Sequence, residues 1–212
     1  MTVIDLTHTI TETISLYPGA AAPKLNKIAT CAKNGYNETL LTLASHTATH
    51  IDAPYHVYDD SVTLDNMSIH QFIGKAALID CRGCAPGGSI GMHYIRQRKN
   101  IADEAEFIVF YTGWSDRWNS DAYSAAYPHI TEDVAEYLGN SGKKGMGLDT
   151  ISTDPVNAYG LPLHKKILRS GSFIIIENMT NIDMLPEQFT LVALPIKYLH
   201  SDGAPARVIA LF

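Results

Sequence analysis

The sequence has no run of basic residues, no long apolar run and no low-complexity stretch. Lys and Arg number 16 against 22 Asp and Glu, a net charge of −6, so the electrostatic footprint of a nucleic-acid binder is missing. Apolar runs such as Phe173 to Ile176 fall far short of the roughly 20 residues that cross a bilayer, so no membrane association is expected. The opening Met1-Thr2-Val3-Ile4-Asp5 has no basic region followed by an apolar stretch; no signal peptide is expected, and a cytoplasmic protein is. Cysteine is scarce and its count of three is odd. Cys81 and Cys84 form a C-x-x-C, but Gly83, Pro86, Gly87 and Gly88 favour a loop over the helix that a redox pair starts, so they read as two plain thiols. A second C-x-x-C is missing too, which argues against a structural zinc ribbon. With no internal repeat and no linker-like stretch, residues 1–212 are expected to form one domain.

What is present is an ordinary globular balance, 46% hydrophobic and 18% charged, and one unusual cluster. Ser45-His46-Thr47-Ala48-Thr49-His50-Ile51-Asp52-Ala53-Pro54-Tyr55-His56 holds three of the nine histidines, where an even spread would give roughly 0.5. Imidazole nitrogens beside a carboxylate suit zinc, manganese or iron. A fully extended chain from His46 to His56 would span roughly 33–36 Å, so one site requires a bend. His46 and His50, at i and i+4, meet on a helical turn; His50 and Asp52, at i and i+2, share a face of an extended backbone. The spacing therefore predicts a turn carrying His46 and His50 that passes into a short extended piece carrying Asp52. Pro54 disfavours helix at Ala53, in keeping with that change. His56 lies beyond the triplet, near any metal rather than on it.

Strands are expected at Val3 to Leu6, Thr39 to Leu43, Ala76 to Asp80, Phe107 to Thr112, Gly145 to Asp149, Ser172 to Ile176, Leu191 to Leu194 and Arg207 to Leu211. Helices are expected at Ile130 to Leu138, with Thr131 as cap and Gly139 as terminator, and at Leu163 to Arg169, with Pro162 near its start. The order is mixed, without a clean βαβ alternation. Glu177 follows a run of buried character, where an acid is costly unless paired, exposed or metal-bound. His164 lies thirteen residues earlier, and a helix followed by a returning strand can bring the two together. Each also has a plainer reading, His164 as a surface residue at a helix start and Glu177 on a solvent rim. Asp149 and Asp154 are ligand candidates by chemistry, though their Asp-Pro and Ser/Thr-Asp settings read first as turn formers.

Taken together, His46-Thr47-Ala48-Thr49-His50-Ile51-Asp52-Ala53-Pro54-Tyr55-His56 resembles the H-x-G-T-H-x-D-x-P-x-H signature of the cyclase family of metal-dependent hydrolases, which includes bacterial kynurenine formamidase and isatin hydrolase. The resemblance runs through Tyr17-Pro18-Gly19, Gly147-Leu148-Asp149-Thr150, Leu163-His164, Ile176-Glu177-Asn178 and Asp202-Gly203-Ala204-Pro205-Ala206-Arg207. It implies that His46, His50 and Asp52 bind a first metal, and that Asp52 bridges to a second completed by His164 and Glu177. It implies His56 as acid/base and Zn²⁺, one or two ions per subunit, with Mn²⁺ as the alternative. It also implies an α/β (mixed α+β) fold: a compact β/β/α swivelling-type domain around a barrel-like mixed sheet, in homodimers or homotetramers. Ala48 stands where the family has glycine, so a positive φ there would carry strain.

The reaction this implies is hydrolysis of a small amide, arylformamidase-like, with N-formylkynurenine, lactams such as isatin, lactones and carbamates as substrate classes. Tyr17 and Trp114 are candidates to flank an aryl substrate, or are ordinary partly buried aromatics. Two rivals remain at this level. His50, Asp52 and His164 also spell the facial triad of a non-haem Fe(II) oxygenase, and the site could bind metal without turning anything over.

Overall fold

The computed structural model describes residues 1–212. The strands are β1 (Val3–Asp5), β2 (Lys24–Ala29), β3 (Glu38–Thr42), β4 (His50–Asp52), β5 (Ile73–Asp80), β6 (Ser89–Ile90), β7 (Phe107–Tyr111), β8 (His129–Ile130), β9 (Gly145–Leu148), β10 (Ile174–Glu177), β11 (Gln188–Pro195) and β12 (Gly203–Leu211). The helices are α1 (Cys31–Asn34), α2 (Met92–Gln97), α3 (Lys99–Glu104), α4 (Glu132–Asn140) and α5 (Pro162–Leu168).

The main sheet runs β12-β11-β5-β7-β9-β10-β4, and β4 also pairs with β12, so seven strands close into a mixed barrel. β1 pairs with the far end of β12, Val3 opposite Leu211. β5, β7, β9 and β10 are parallel neighbours, joined through α2 and α3, then α4, then α5. The middle of the chain is thus a run of three β-α-β units. Sequence pattern hides this regularity because α2 and α3, six residues each, are too short to show a helical period.

Alternation along the strands builds two cores. Phe107, Val109 and Tyr111 of β7, with Ile174 and Ile176 of β10, join Ile51, Leu191, Ala193, Ala204 and Val208 inside the barrel. Ile108 and Phe110, with Ile175, face outward against Val134 and Leu138 of α4 and Ile167 of α5. Both faces are covered, which is why these strands read as unbroken apolar runs. Gly147 faces inward, and a Cβ there would strike the Met179 sulfur that fills the same space.

Two helix boundaries differ from expectation. Ile130 belongs to β8, and Thr131 is the residue before α4, but its hydroxyl bonds the Ile90 carbonyl and Asp133 rather than the helix backbone. Gly139 lies within α4, not at its end; a Cβ there would collide with the Lys166 carbonyl, so the glycine lets α4 and α5 touch. Of the β2–β3 hairpin, the sequence pattern marks only the second strand. It stands apart from the barrel as a two-stranded sheet, with every residue of β3 exposed. No helix is long and apolar enough to cross a membrane.

Candidate metal centre

The parallel strands deliver the site at their carboxyl ends, the place where sheets of this kind leave a crevice. Glu177 is the last residue of β10 and lies opposite His50 in the antiparallel β4 register. Asp52, two residues along β4, lies opposite Gly203 on the strand's other side. His50, Asp52 and Glu177 therefore share one outward face, and the first turn of α5 brings His164 over it. Gly203 is required here: a Cβ on it would sit 2.5 Å from the His46 ring and 2.9 Å from the Ile51 carbonyl.

Asp52 is the hub. Its Oδ1 lies 2.6 Å from His46 Nδ1 and 3.3 Å from His50 Nε2, and its Oδ2 lies 3.3 Å from His164 Nε2. Glu177 closes the other side, with Oε1 3.2 Å from His164 Nε2 and Oε2 3.6 Å from His50 Nε2. Three groups able to hold a metal ion result, His46–His50–Asp52, Asp52–His164–Glu177 and, toward the surface, His46–His56–Asp202; Asp52 belongs to the first two, the buried ones. The structure thus brings together the side chains of His46, His50, Asp52, His164 and Glu177, the five residues expected as ligands. The turn itself is not helical. Ala48 takes φ 54°, and this left-handed residue, not an α-turn, folds His46 back toward His50, their rings 5.1 Å apart.

The donor set fits a cation. His50 Nδ1 donates to the Ala48 carbonyl at 2.8 Å, and His164 Nδ1 donates to Asp154 Oδ2 at 2.6 Å. With Nδ1 used in this way, Nε2 of each ring is left facing the carboxylates, where a proton or a cation must lie between nitrogen and oxygen. Burial opposes charge on Asp52, yet His46, His50 and His164 hold its carboxyl well below the usual range. Burial likewise pulls His46 down, but Asp52 and Asp202 override it and raise the ring to about 10. His164 is raised well above its usual value, against burial, by Asp154, Asp52 and Glu177. Two buried carboxylates set around the same space thus demand positive charge, which protons or a metal can supply.

His56 follows β4 in a single 3-10 turn, Pro54–His56, and its ring lies 4.0 Å from that of His46 and 5.9 Å from that of His164. Burial pushes His56 down to about 4, so at neutral pH it is a free base. Asp149 and Asp154 have structural partners instead of a place among the converging ligands. Asp149 accepts from Thr112 and the Trp114 N–H; Asp154 accepts the backbone N–H groups of Leu163 and His164 as well as the His164 ring. Sequence reading missed Asp202, whose Oδ2 lies 2.9 Å from His46 Nε2 and accepts from Ser45 Oγ at 3.1 Å. Its Asp-Gly setting reads only as a turn.

A cavity of about 470 Å³ opens onto the cluster. Leu16, Tyr17, Ala44, Ile151, Ala158 and Leu161 supply apolar wall around His46, His50, Asp52, His56, His164 and Glu177. Tyr17 lines this cavity. Trp114 does not: it is buried against Tyr123, Tyr127 and Ile151, with its indole N–H donating to the Tyr123 carbonyl at 2.7 Å. An aromatic that is needed to pack a long loop leaves the same trace in sequence as one that faces a ligand. Cys81 and Cys84 lie in a turn closed by the Cys84 N–H on the Cys81 carbonyl, away from this cavity.

The family model described as "Putative cyclase" matches residues 4–155. The kynurenine formamidase of Salinibacter ruber is 28% identical over 99% of this chain and 97% of its own length. Among solved structures, an isatin hydrolase bound to the product analogue thioisatinate is 25% identical, with a TM-score of 0.87 over 99% of this chain and 92% of that one. A potential metal-dependent hydrolase with cyclase activity is 27% identical, with a TM-score of 0.80 over 99% and 96%.

Proposed function

The chain belongs to the cyclase family, and from that premise we propose that it hydrolyses a small aryl amide, converting N-formylkynurenine to kynurenine and formate. The observation that carries this reading is Asp52, shared between two ligand groups at the floor of an apolar cavity. His46, His50 and Asp52 would hold one ion, and Asp52, His164 and Glu177 a second. Histidine with carboxylate donors suits Zn²⁺, with Mn²⁺ as the alternative. A bound ion of this kind supplies Lewis-acid polarisation of a carbonyl and acidifies water at neutral pH.

The protein's own part follows from placement. Leu16, Tyr17, Ile151 and Leu161 bury the aryl group and keep bulk water from the reacting carbon. His56, held as a free base beside the cluster, takes the proton of the attacking water and returns it to the amide nitrogen as the C–N bond breaks. A cyclic substrate opens by the same steps, and the likeness to an isatin hydrolase supports a lactam such as isatin as the second reading. An oxygenase triad of His50, Asp52 and His164 accounts for the cluster less well, since His46 and Glu177 converge on the same space.

A second copy of the chain as partner is supported by the standalone hairpin, where Leu40 and Leu41 are exposed, and by the exposed Ile196 and Leu199. Such a hairpin is marginal in water without cover. The three free cysteines accord with a cytoplasmic setting. The test is hydrolysis of N-formylkynurenine and of isatin by metal-stripped protein, with Zn²⁺ or Mn²⁺ added back. Turnover that requires the ion supports the proposal; metal bound without turnover of either compound rejects the substrate assignment.

A further inference from the structure

Asn178 follows Glu177 directly and is 3% exposed, in a left-handed conformation with φ 57°. Both polar atoms of its side chain have partners. Nδ2 donates to the Ala48 carbonyl at 2.8 Å, and Oδ1 accepts the Tyr123 hydroxyl at 2.8 Å. The partners fix the amide's orientation, because a carbonyl oxygen can only accept. The Ala48 carbonyl is the same oxygen that receives His50 Nδ1–H. Asn178 also lies 3.5 Å from His50 Nδ1 through Nδ2, and its own carbonyl accepts Thr49 Oγ1 at 2.6 Å. Ala48 has φ 54°, a costly backbone for alanine, so this peptide needs external bonds to stay where it is.

Tyr123 is completely buried and lies outside the cavity wall. It belongs to the loop between β7 and β8, packs edge-on against Trp118, and has the Asp149 carbonyl as a longer second acceptor at 3.1 Å. Its hydroxyl reaches the cluster only through Asn178.

We propose that Tyr123 and Asn178 are positioning residues for His50: Tyr123 sets the Asn178 amide, the amide holds the Ala48 carbonyl, and that carbonyl fixes which His50 nitrogen faces the ion. The inference rests on the metal site proposed above. Outer partners of this kind are commonly worth about 10- to 100-fold in metal affinity.

The test uses Asn178→Gly, Tyr123→Phe and the double variant. Glycine takes a positive φ without strain, so Asn178→Gly removes the amide and spares the backbone. Zn²⁺ affinity is read by competition with a chromophoric chelator, and ligand geometry by the visible spectrum of the Co²⁺-loaded protein. The expected result is Zn²⁺ binding weakened about 10- to 100-fold in Asn178→Gly and by less in Tyr123→Phe, with an altered Co²⁺ spectrum in both. In the double variant, Tyr123→Phe adds nothing further. Should Asn178→Gly fail to fold, Tyr123→Phe carries the test through the same two readouts. Parent-like affinity and spectrum in either variant overturns the inference, as do losses that simply add, or a changed KM with unchanged metal affinity. A parent protein that binds no Zn²⁺ or Co²⁺ overturns the metal site itself, and the inference with it.

Discussion

His164 Nδ1 lies 2.6 Å from Asp154 Oδ2, and the same carboxylate accepts the backbone N–H groups of Leu163 and His164. One buried acid thus anchors both the first turn of α5 and the ring that this turn carries to the cluster. The end of the loop from Asp149 to Asp154 is tied to the site a second time, because the Thr153 N–H donates to Glu177 Oε1 at 2.7 Å.

Asp154→Ala removes that anchor. Metal affinity is expected to fall about 10- to 100-fold, as for other partners behind a ligating histidine. The helix start also loses its cap, at a cost of about 1 kcal/mol. Isothermal titration with Zn²⁺ and thermal unfolding of the metal-free protein separate the two effects. Unchanged affinity would place His164 outside the ligand set.

Gly203→Ala tests the close approach of β12 to the cluster. The added methyl would sit 2.5 Å from the His46 ring and 2.9 Å from the Ile51 carbonyl, so the ring or the β4–β12 pairing must give way. Destabilisation of about 1–3 kcal/mol is expected, as for other overpacked sites, together with weaker metal binding. Denaturant unfolding and a Zn²⁺ titration check it; a variant equal to the parent in both would mean that this contact is readily relieved.

Ala48→Gly should act in the opposite direction. With φ at 54°, the alanine carries left-handed strain that glycine does not. A gain of about 1 kcal/mol is expected, or about 2–4 °C in Tm for a chain of this size, measured by calorimetry on the metal-free protein. A lower Tm would mean that the strain is small and that chain entropy decides.

His8, which belongs to none of the ligand groups, gives a pH dependence of its own. Its ring stacks on Trp118 at 4.0 Å, its Nε2 is buried without a partner, and burial pushes it down to about 4 from the ordinary 6.5. Between those values the unfolded chain binds the extra proton, so this contribution is complete above pH 6.5 and is lost as pH falls toward 4. His8→Phe keeps the stack and removes the titration. The stability difference between parent and His8→Phe should shift against the parent as pH drops from 7 to 4; a difference that does not vary with pH would show that the ring is solvated.

Half of the cluster could be read from the sequence because it is local. His46, His50 and Asp52 crowd into seven residues, and alternation along a strand puts His50 and Asp52 on one face. His164 and Glu177 were readable because a helix and its returning strand span only fourteen residues. Asp202 was not, since it reaches His46 through the β4–β12 pairing, across about three quarters of the chain. Tyr123 and Trp114 show the same limit from opposite sides: both are buried aromatics of one loop, and only tertiary contacts tell which of them touches a group that holds the site. Gly139 was misread as a stop because helix contact and helix termination call for the same residue. The β2 strand, Lys24–Ala29, was missed because it stands off the barrel, almost wholly unburied, and so lacks the apolar pattern that marks a strand.

In the proposed reaction the groups that share Asp52 hold the metal while His56 moves the proton. The measurement that tests this most directly is metal content together with hydrolysis rate for Asp52→Ala and His56→Ala, side by side. Asp52→Ala is expected to lose both metal and activity. His56→Ala is expected to keep the metal of the parent and to lose about 10²- to 10⁴-fold in kcat, the usual worth of a positioned acid/base. A fully active His56→Ala, or an Asp52→Ala that retains its metal, would contradict the account.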